Sequence, residues 1–251
     1  MNTFRFVGLL AAAVVLTACA GSGRAVNDAA VANLNLGAGY LRQGNTTLAI
    51  ERLQRALAQD PRLVEAHATI ALAYDQIGSL DEAETHYKRA TELDPNNGTA
   101  ANFYAVFLCN RQNRWADAEP NFRRAAADSN YPTPEVALTN AGVCALAAGD
   151  TESAAESFRA ALARNGTYPD ALLNMMDLAY QGGNFLQARA FVQRYLDSQR
   201  PTAPVLWLCF QVERELDNDE AADRCAAQLR NNFRGSEELA QLEEQTRRNG
   251  R

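Results

Sequence analysis

The stretch from Leu36 to Pro61 reads LGAGYLRQGNTTLAIERLQRALAQDP, and the stretch from Ile70 to Pro95 reads IALAYDQIGSLDEAETHYKRATELDP. They are offset by 34 residues, and the same kinds of residue return at the same places. Leu36-Gly37 and Ile70-Ala71 each precede a tyrosine, Tyr40 or Tyr74. Ala49, Leu53 and Ala56 then match Ala83, Tyr87 and Ala90, and Pro61 matches Pro95. Self-similarity at such a period marks supersecondary units that bury their apolar faces against one another. Each period holds two alanine-rich segments of about 12–15 residues with apolar residues at helical spacing. Helix breaks separate them at Gly44-Asn45, Asp60-Pro61, Gly78-Ser79 and Asp94-Pro95. No stretch alternates as a strand would.

The pattern resembles the tetratricopeptide repeat, in which small residues at fixed places let two antiparallel helices pack closely. It continues with lesions. A third unit starts near Gly98, with Tyr104-Ala105, Leu108, Phe122 and Ala125, and slips by one residue near Trp115 so that Ala118 takes a small-residue position. Asn130 to Pro134 adds further residues before a fourth start near Glu135, where Gly142, Gly149, Ala154, Phe158 and Ala161 restore the pattern. A fifth unit starts near Pro169, with Gly183, Ala188 and Val192, and breaks fall at Gly182-Gly183 and Arg200-Pro201. A sixth starts near Ala203, with Asp217 where glycine is usual. The expected architecture is an all-α, right-handed superhelix over residues 29–236, with units starting near 30, 64, 98, 135, 169 and 203. Residues 237–251 form a polar capping helix and tail, as solenoids require.

Ahead of the repeats, Arg5 precedes an apolar run from Phe6 to Leu16, shorter than the roughly 20 residues of a membrane span. Residues 1–18 read as a signal peptide. Leu16-Thr17-Ala18-Cys19 resembles a bacterial lipobox, which implies acylation of Cys19; acyl chains such as palmitate supply membrane affinity. Ala20 in the next position, by the same resemblance, favours the outer membrane, with the chain facing the periplasm. Gly21, Ser22 and Gly23 belong to a flexible tether spanning residues 19–28. Formal net charge is −6, and no basic stripe exists to track a phosphate backbone, so nucleic acid is not an expected partner.

Catalytic chemistry finds no constellation. His67 and His86 lack metal-ligand spacing; His67 falls where a first helix packs, and His86 on the outer face of a second helix. There is no phosphate-cradling loop and no GxSxG elbow. Acidic residues such as Asp81, Glu82 and Glu84 lie in first turns, where they suit the helix dipole. The chain therefore reads as no enzyme, with no cofactor and no metal.

Cys109, Cys144, Cys209 and Cys225 remain after Cys19 is set aside. Four cysteines permit three pairings, and solenoid geometry selects between them. Cys109 and Cys144 lie on neighbouring first helices of units three and four; Cys209 and Cys225 face each other across the sixth hairpin. Two structural disulfides follow, each worth ~2–4 kcal/mol. No CxxC spacing suggests a redox-active pair.

The remaining functional surface is the groove lined by first helices. Its candidate residues are Leu34, Asn35, Ala38 and Leu41, then Leu72, Asn102 and Phe103, then Asn140, Asn174 and Tyr180. The recurring asparagines can donate and accept at once, which suits a peptide backbone; equally, they can satisfy neighbouring helix ends or face water. Lysine and arginine are sparse here, with Arg42 and Arg214 the basic positions. A hydrophobic peptide or helix is the better ligand. Trp115, Trp207 and Leu208 are further anchors or core.

The lipobox, the 34-residue repeats, the segment Cys109-Asn110-Arg111-Gln112-Asn113-Arg114-Trp115-Ala116-Asp117-Ala118-Glu119 and the segment Asn130-Tyr131-Pro132-Thr133-Pro134-Glu135 together resemble the type IV pilus pilotin family. The resemblance covers essentially the whole mature chain. It implies a lipid-anchored factor of pilus biogenesis that binds the outer-membrane secretin and promotes its targeting and multimerisation. Repeats alone define a scaffold and not a partner. An adaptor for outer-membrane barrel assembly or for peptidoglycan enzymes is the alternative.

Overall fold

The computed structural model describes residues 27–249; the signal peptide, Cys19 and nearly all of the tether lie outside them. Thirteen helices and no strand occur among the described residues. Six hairpins pair α1 (Asp28–Arg42) with α2 (Thr46–Gln59), α3 (Val64–Gln76) with α4 (Leu80–Leu93), and α5 (Gly98–Gln112) with α6 (Trp115–Ala127). They continue with α7 (Pro134–Ala147) and α8 (Thr151–Arg164), α9 (Pro169–Gln181) and α10 (Phe185–Ser198), and α11 (Ala203–Glu215) and α12 (Asp219–Asn232). The last helix, α13 (Glu237–Asn249), covers the stack with Leu239 and the fully buried Leu242.

One rule repeats through all six hairpins. The turn residue adopts the left-handed conformation: Gly44, Gly78, Asn113, Gly149, Gly183 and Asp217, with φ of 77°, 77°, 50°, 82°, 72° and 53°. Asn and Asp are the side chains that tolerate this region best after glycine. Five residues on comes an alanine, Ala49, Ala83, Ala118, Ala154, Ala188 or Ala222, always buried. Nine residues on comes the filler of the hairpin: Leu53, Tyr87, Phe122, Phe158, Val192 or Ala226. The small residues allow close approach and the fillers occupy what remains, which is dense packing achieved by alternation. Gly142 shows how tight it is, because a Cβ there would run into the Phe158 ring.

Consecutive first helices touch, α1 with α3, α3 with α5, α5 with α7 and α7 with α9, while no pair of second helices comes into comparable contact. The first helices therefore form the tighter, concave side of the solenoid and the second helices the convex side. Unit-to-unit connections span four residues, as at 60–63 and 94–97, except at 128–133, where six residues intervene. The longer loop folds inward. Tyr131 is buried with Ala101, Ala125 and Ala137, and Asp128 Oδ2 accepts from the Gly98 N–H at 2.9 Å. Gly98 permits this approach, since a Cβ would lie 2.8 Å from that of Tyr131.

Both disulfides form as solenoid geometry requires: Cys109 with Cys144, Cα atoms 5.8 Å apart, and Cys209 with Cys225, 6.1 Å apart. The first staples units three and four beside the long loop. The second closes the sixth hairpin.

Candidate protein-binding groove

The concave side is built from one face of α1, α3, α5, α7, α9 and α11, and the structure places the expected groove residues at differing depths. Leu34 and Leu72 are half-buried against the cluster of Leu53, Ile70 and Ala73. Leu41 is 9% exposed and belongs to that cluster's interior, so it supports the groove floor and offers little surface. Ala38 is half-buried, Asn35 is exposed, and neighbouring Leu36 is 49% exposed. The first two units thus present Leu34 and Leu72 as their apolar groove surface. Phe103 is half-buried on α5 beside Val106, and Val143 on α7 is 46% exposed. Tyr180 lies against Phe185, ring centroids 5.6 Å apart, and Trp207 stacks on Phe210 at the same separation. Leu208 is buried, and Trp115 packs between two core clusters on the opposite side.

The asparagines divide. Asn102 is 5% exposed, and its Oδ1 accepts from Asn140 Nδ2 at 3.2 Å, tying α5 to α7. Asn174 donates to the Asp170 carbonyl of its own helix at 2.7 Å. For these three, the structural use of the amide accounts for the side chain seen; Asn35 remains exposed to a ligand.

Charge on this side is largely spoken for. Arg111 pairs with Asp75 at 2.7 Å, and Arg214 with Asp219. Asp177 has no counter-ion among the described residues, and desolvation by the surrounding helices pushes its carboxyl up. At the boundary of units two and three, Glu84 accepts from Lys88, Arg114 and the Tyr104 hydroxyl at 2.8, 2.9 and 3.2 Å. Those bonds, led by that from Lys88, hold its carboxyl below the usual range.

His86 departs from the outer face on which sequence placed it. It turns inward: its Nδ1 meets His67 Nδ1 at 2.9 Å and its ring stacks on Tyr74 at 5.7 Å. His67 Nε2 donates to the Pro61 carbonyl at 3.1 Å, so its Nδ1 is the acceptor and His86 carries the shared proton. Burial pushes both imidazoles down, which favours their neutral forms. Sequence could not show this, because the face of α4 that α3 covers depends on how the hairpin stacks. No group of three or more potential ligands assembles around the pair or elsewhere among the described residues.

Comparison with known proteins agrees with this architecture. Two family models described as tetratricopeptide repeat match, one over residues 40–107 and 145–207, the other over residues 110–169. The chain is 28% identical to the type IV pilus assembly protein PilF of Pseudomonas aeruginosa, over 92% of this chain and 94% of that one. A solved structure of PilF superposes with a TM-score of 0.72, covering 87% of this chain and 98% of the other. That of PilW, described as a widely conserved type IV pilus biogenesis factor, superposes at 0.71 with 28% identity, covering 86% and 99%. YrrB, a repeat protein described as having an unusual peptide-binding site, shares the fold at 19% identity, with a TM-score of 0.53 over 70% of this chain and 90% of that one.

Proposed function

The chain belongs to the tetratricopeptide repeat family, and from that premise we propose that it is a pilotin: an outer-membrane lipoprotein that binds the type IV pilus secretin and promotes its targeting and multimerisation. The observation that carries the proposal is correspondence with PilF along almost the whole of both chains, 92% and 94%. A repeat match alone would support only a scaffold. The work is done by binding, not by chemistry. The concave groove supplies apolar contact for a secretin segment, with Leu34 and Leu72 at its first two units. Acyl chains on Cys19 supply membrane affinity, and the tether turns secretin capture at the membrane into a local event of raised effective concentration.

The test is secretin assembly in a strain lacking the protein, read as heat-resistant multimer in isolated outer membranes. The expected outcome is loss of multimer, restored by wild type but not by Cys19→Ser or by Leu34→Asp. Multimers that persist unchanged in the deletion strain would sink the pilotin reading and leave only the repeat scaffold.

A further inference from the structure

The convex side has a cleft that the concave groove does not explain. It lies between α6 and α8, with Phe122, Leu138 and Ala141 toward its floor and Trp115 at one end, and has a volume of about 500 Å³. That is within the range of about 300–1,000 Å³ typical of ligand sites. Its cause is legible in the repeat. Eight and eleven residues after the turn, the second helices carry Arg52 and Arg55, His86 and Arg89, Asn121 and Arg124, and Phe191 and Arg194. On α8 the same two positions are Ser157 and Ala160; on α12 they are Cys225, which is bonded to Cys209, and Gln228. In the first three hairpins these side chains stay within their own unit: Arg55 pairs with Glu51, His86 stacks on Tyr74, Arg89 pairs with Glu92 and Asn121 donates to the Asp117 carbonyl. On α10, Phe191 is half-buried against the core and Arg194 extends over Gly166, in the connection from the unit before it, where a Cβ would lie 2.5 Å from its Nη2. On α8 neither an aromatic ring nor a guanidinium is present to do so.

The rim lacks a cation in the same sense. Glu84 and Glu119 occupy the same repeat position, six residues after their turns. Glu84 receives Arg114 and the Tyr104 hydroxyl from across the unit boundary. Glu119 is paired with Arg123 of its own helix, whose side chain is 75% exposed. Glu156, on the facing wall, has no counter-ion among the described residues. Two carboxylates thus border an apolar floor with one arginine between them.

We propose that this cleft docks a helix of a partner protein that carries an aromatic residue and, three positions on, an arginine. The ring would cover Phe122 and Leu138 where Ser157 leaves room, and the guanidinium would reach Glu119 and Glu156 over Ala160. Residues three apart on a helix are neighbours on one face, and α10 carries such a pair, a half-buried Phe191 and an Arg194 that reaches Gly166 in the connection from the unit before it. The cleft would take from outside what the fifth hairpin supplies from within the chain. This site is separate from the concave groove and stands whether or not that groove holds a secretin.

The probe is a fluorescent peptide copying Phe185–Ser198, held helical by a staple on the opposite face, titrated against the full-length protein. Two variants report on the site. In the double substitution S157F/A160R the chain fills its own cleft as α10 does, and Glu119→Gln removes the rim charge without changing size. Saturable binding is expected to weaken at least about tenfold with the filled cleft, ~1.4 kcal/mol, and several-fold with Glu119→Gln. Replacing the peptide's arginine at the Arg194 position by glutamine should weaken binding to wild type more than binding to Glu119→Gln. The proposal is overturned by equal binding to wild type and both variants, or by no saturation below about 1 mM. It is also overturned if wild type sediments as a dimer that the filled variant abolishes, because the occupant is then a second copy of the chain.

Discussion

In the second hairpin, α3 and α4 turn at Gly78 and are held by side chains: Ala71 and Ala83 allow contact, Tyr87 fills the space, and the His67–His86 bond crosses between the helices. In the sixth, α11 and α12 turn at Asp217, the filler position holds only Ala226, and Cys209–Cys225 crosses between the helices instead. The third hairpin resembles the sixth, since its turn residue is Asn113 and its neighbouring Cys109 is bridged to unit four. Each of the two hairpins whose turns lack glycine carries a bridged cysteine, and the first bridge also ties in the fourth hairpin, which turns at Gly149. A non-glycine residue in the left-handed region costs roughly 1 kcal/mol, and a disulfide offsets several times that by restricting the unfolded chain. Sequence drift from the repeat pattern and covalent compensation thus share an address.

The comparison breaks most visibly if the bridges are removed. Cys109→Ser with Cys144→Ser, closing 35 residues, should cost about 4 kcal/mol of unfolding free energy; Cys209→Ser with Cys225→Ser, closing 16, should cost about 3. Denaturant melts measure both, and hydrogen exchange should show the second hairpin retaining its protection in either variant. A smaller effect sharpens the role of the turns. Asp217→Gly and Asn113→Gly should each stabilise by up to about 1 kcal/mol, while Gly78→Asp should lose a similar amount. Equal melting temperatures across these three would separate turn chemistry from bridge placement.

The smallest effect concerns the histidine pair. The folded pair resists a second proton, whereas an unfolded histidine takes one near pH 6.5. The unfolded state therefore binds more protons below that value, and stability should fall as pH drops from about 7 toward 5. Arg89, which also lowers the His67 value, adds to this sign, whereas the Pro61 carbonyl opposes it. In His86→Gln the slope over that window should shrink; an unchanged slope would assign it to other groups.

Much of the fold could be read from residues whose role is local. Ala49 and Ala83, Tyr87 and Phe158, and the glycine turns reveal themselves by size and period, because close helix packing admits few alternatives. The Cys109–Cys144 and Cys209–Cys225 pairings followed from which helices a hairpin stack makes neighbours. The groove was less legible. Leu41 and Asn102 share the helical face of Leu34 and Phe103, yet depth differs along that face, and depth depends on how units lean together. Asp217 looked like a missing glycine because its left-handed turn leaves no mark in the letter. The cleft beside α8 escaped notice for another reason: Ser157 and Ala160 are ordinary helix residues, and their meaning lies in what the other hairpins put in their place.

Two ties join α5 to α7, the Asn140–Asn102 amide bond and the Cys109–Cys144 bridge. Seven residues separate Asn102 from Cys109 along α5, about 10 Å at 1.5 Å per residue. A single tie is a pivot, about which two rods can still swing; a pair spaced along the rods makes a braced frame. The middle of the solenoid is thus a truss, and any spring-like opening must be taken up by the outer hairpins on either side of it.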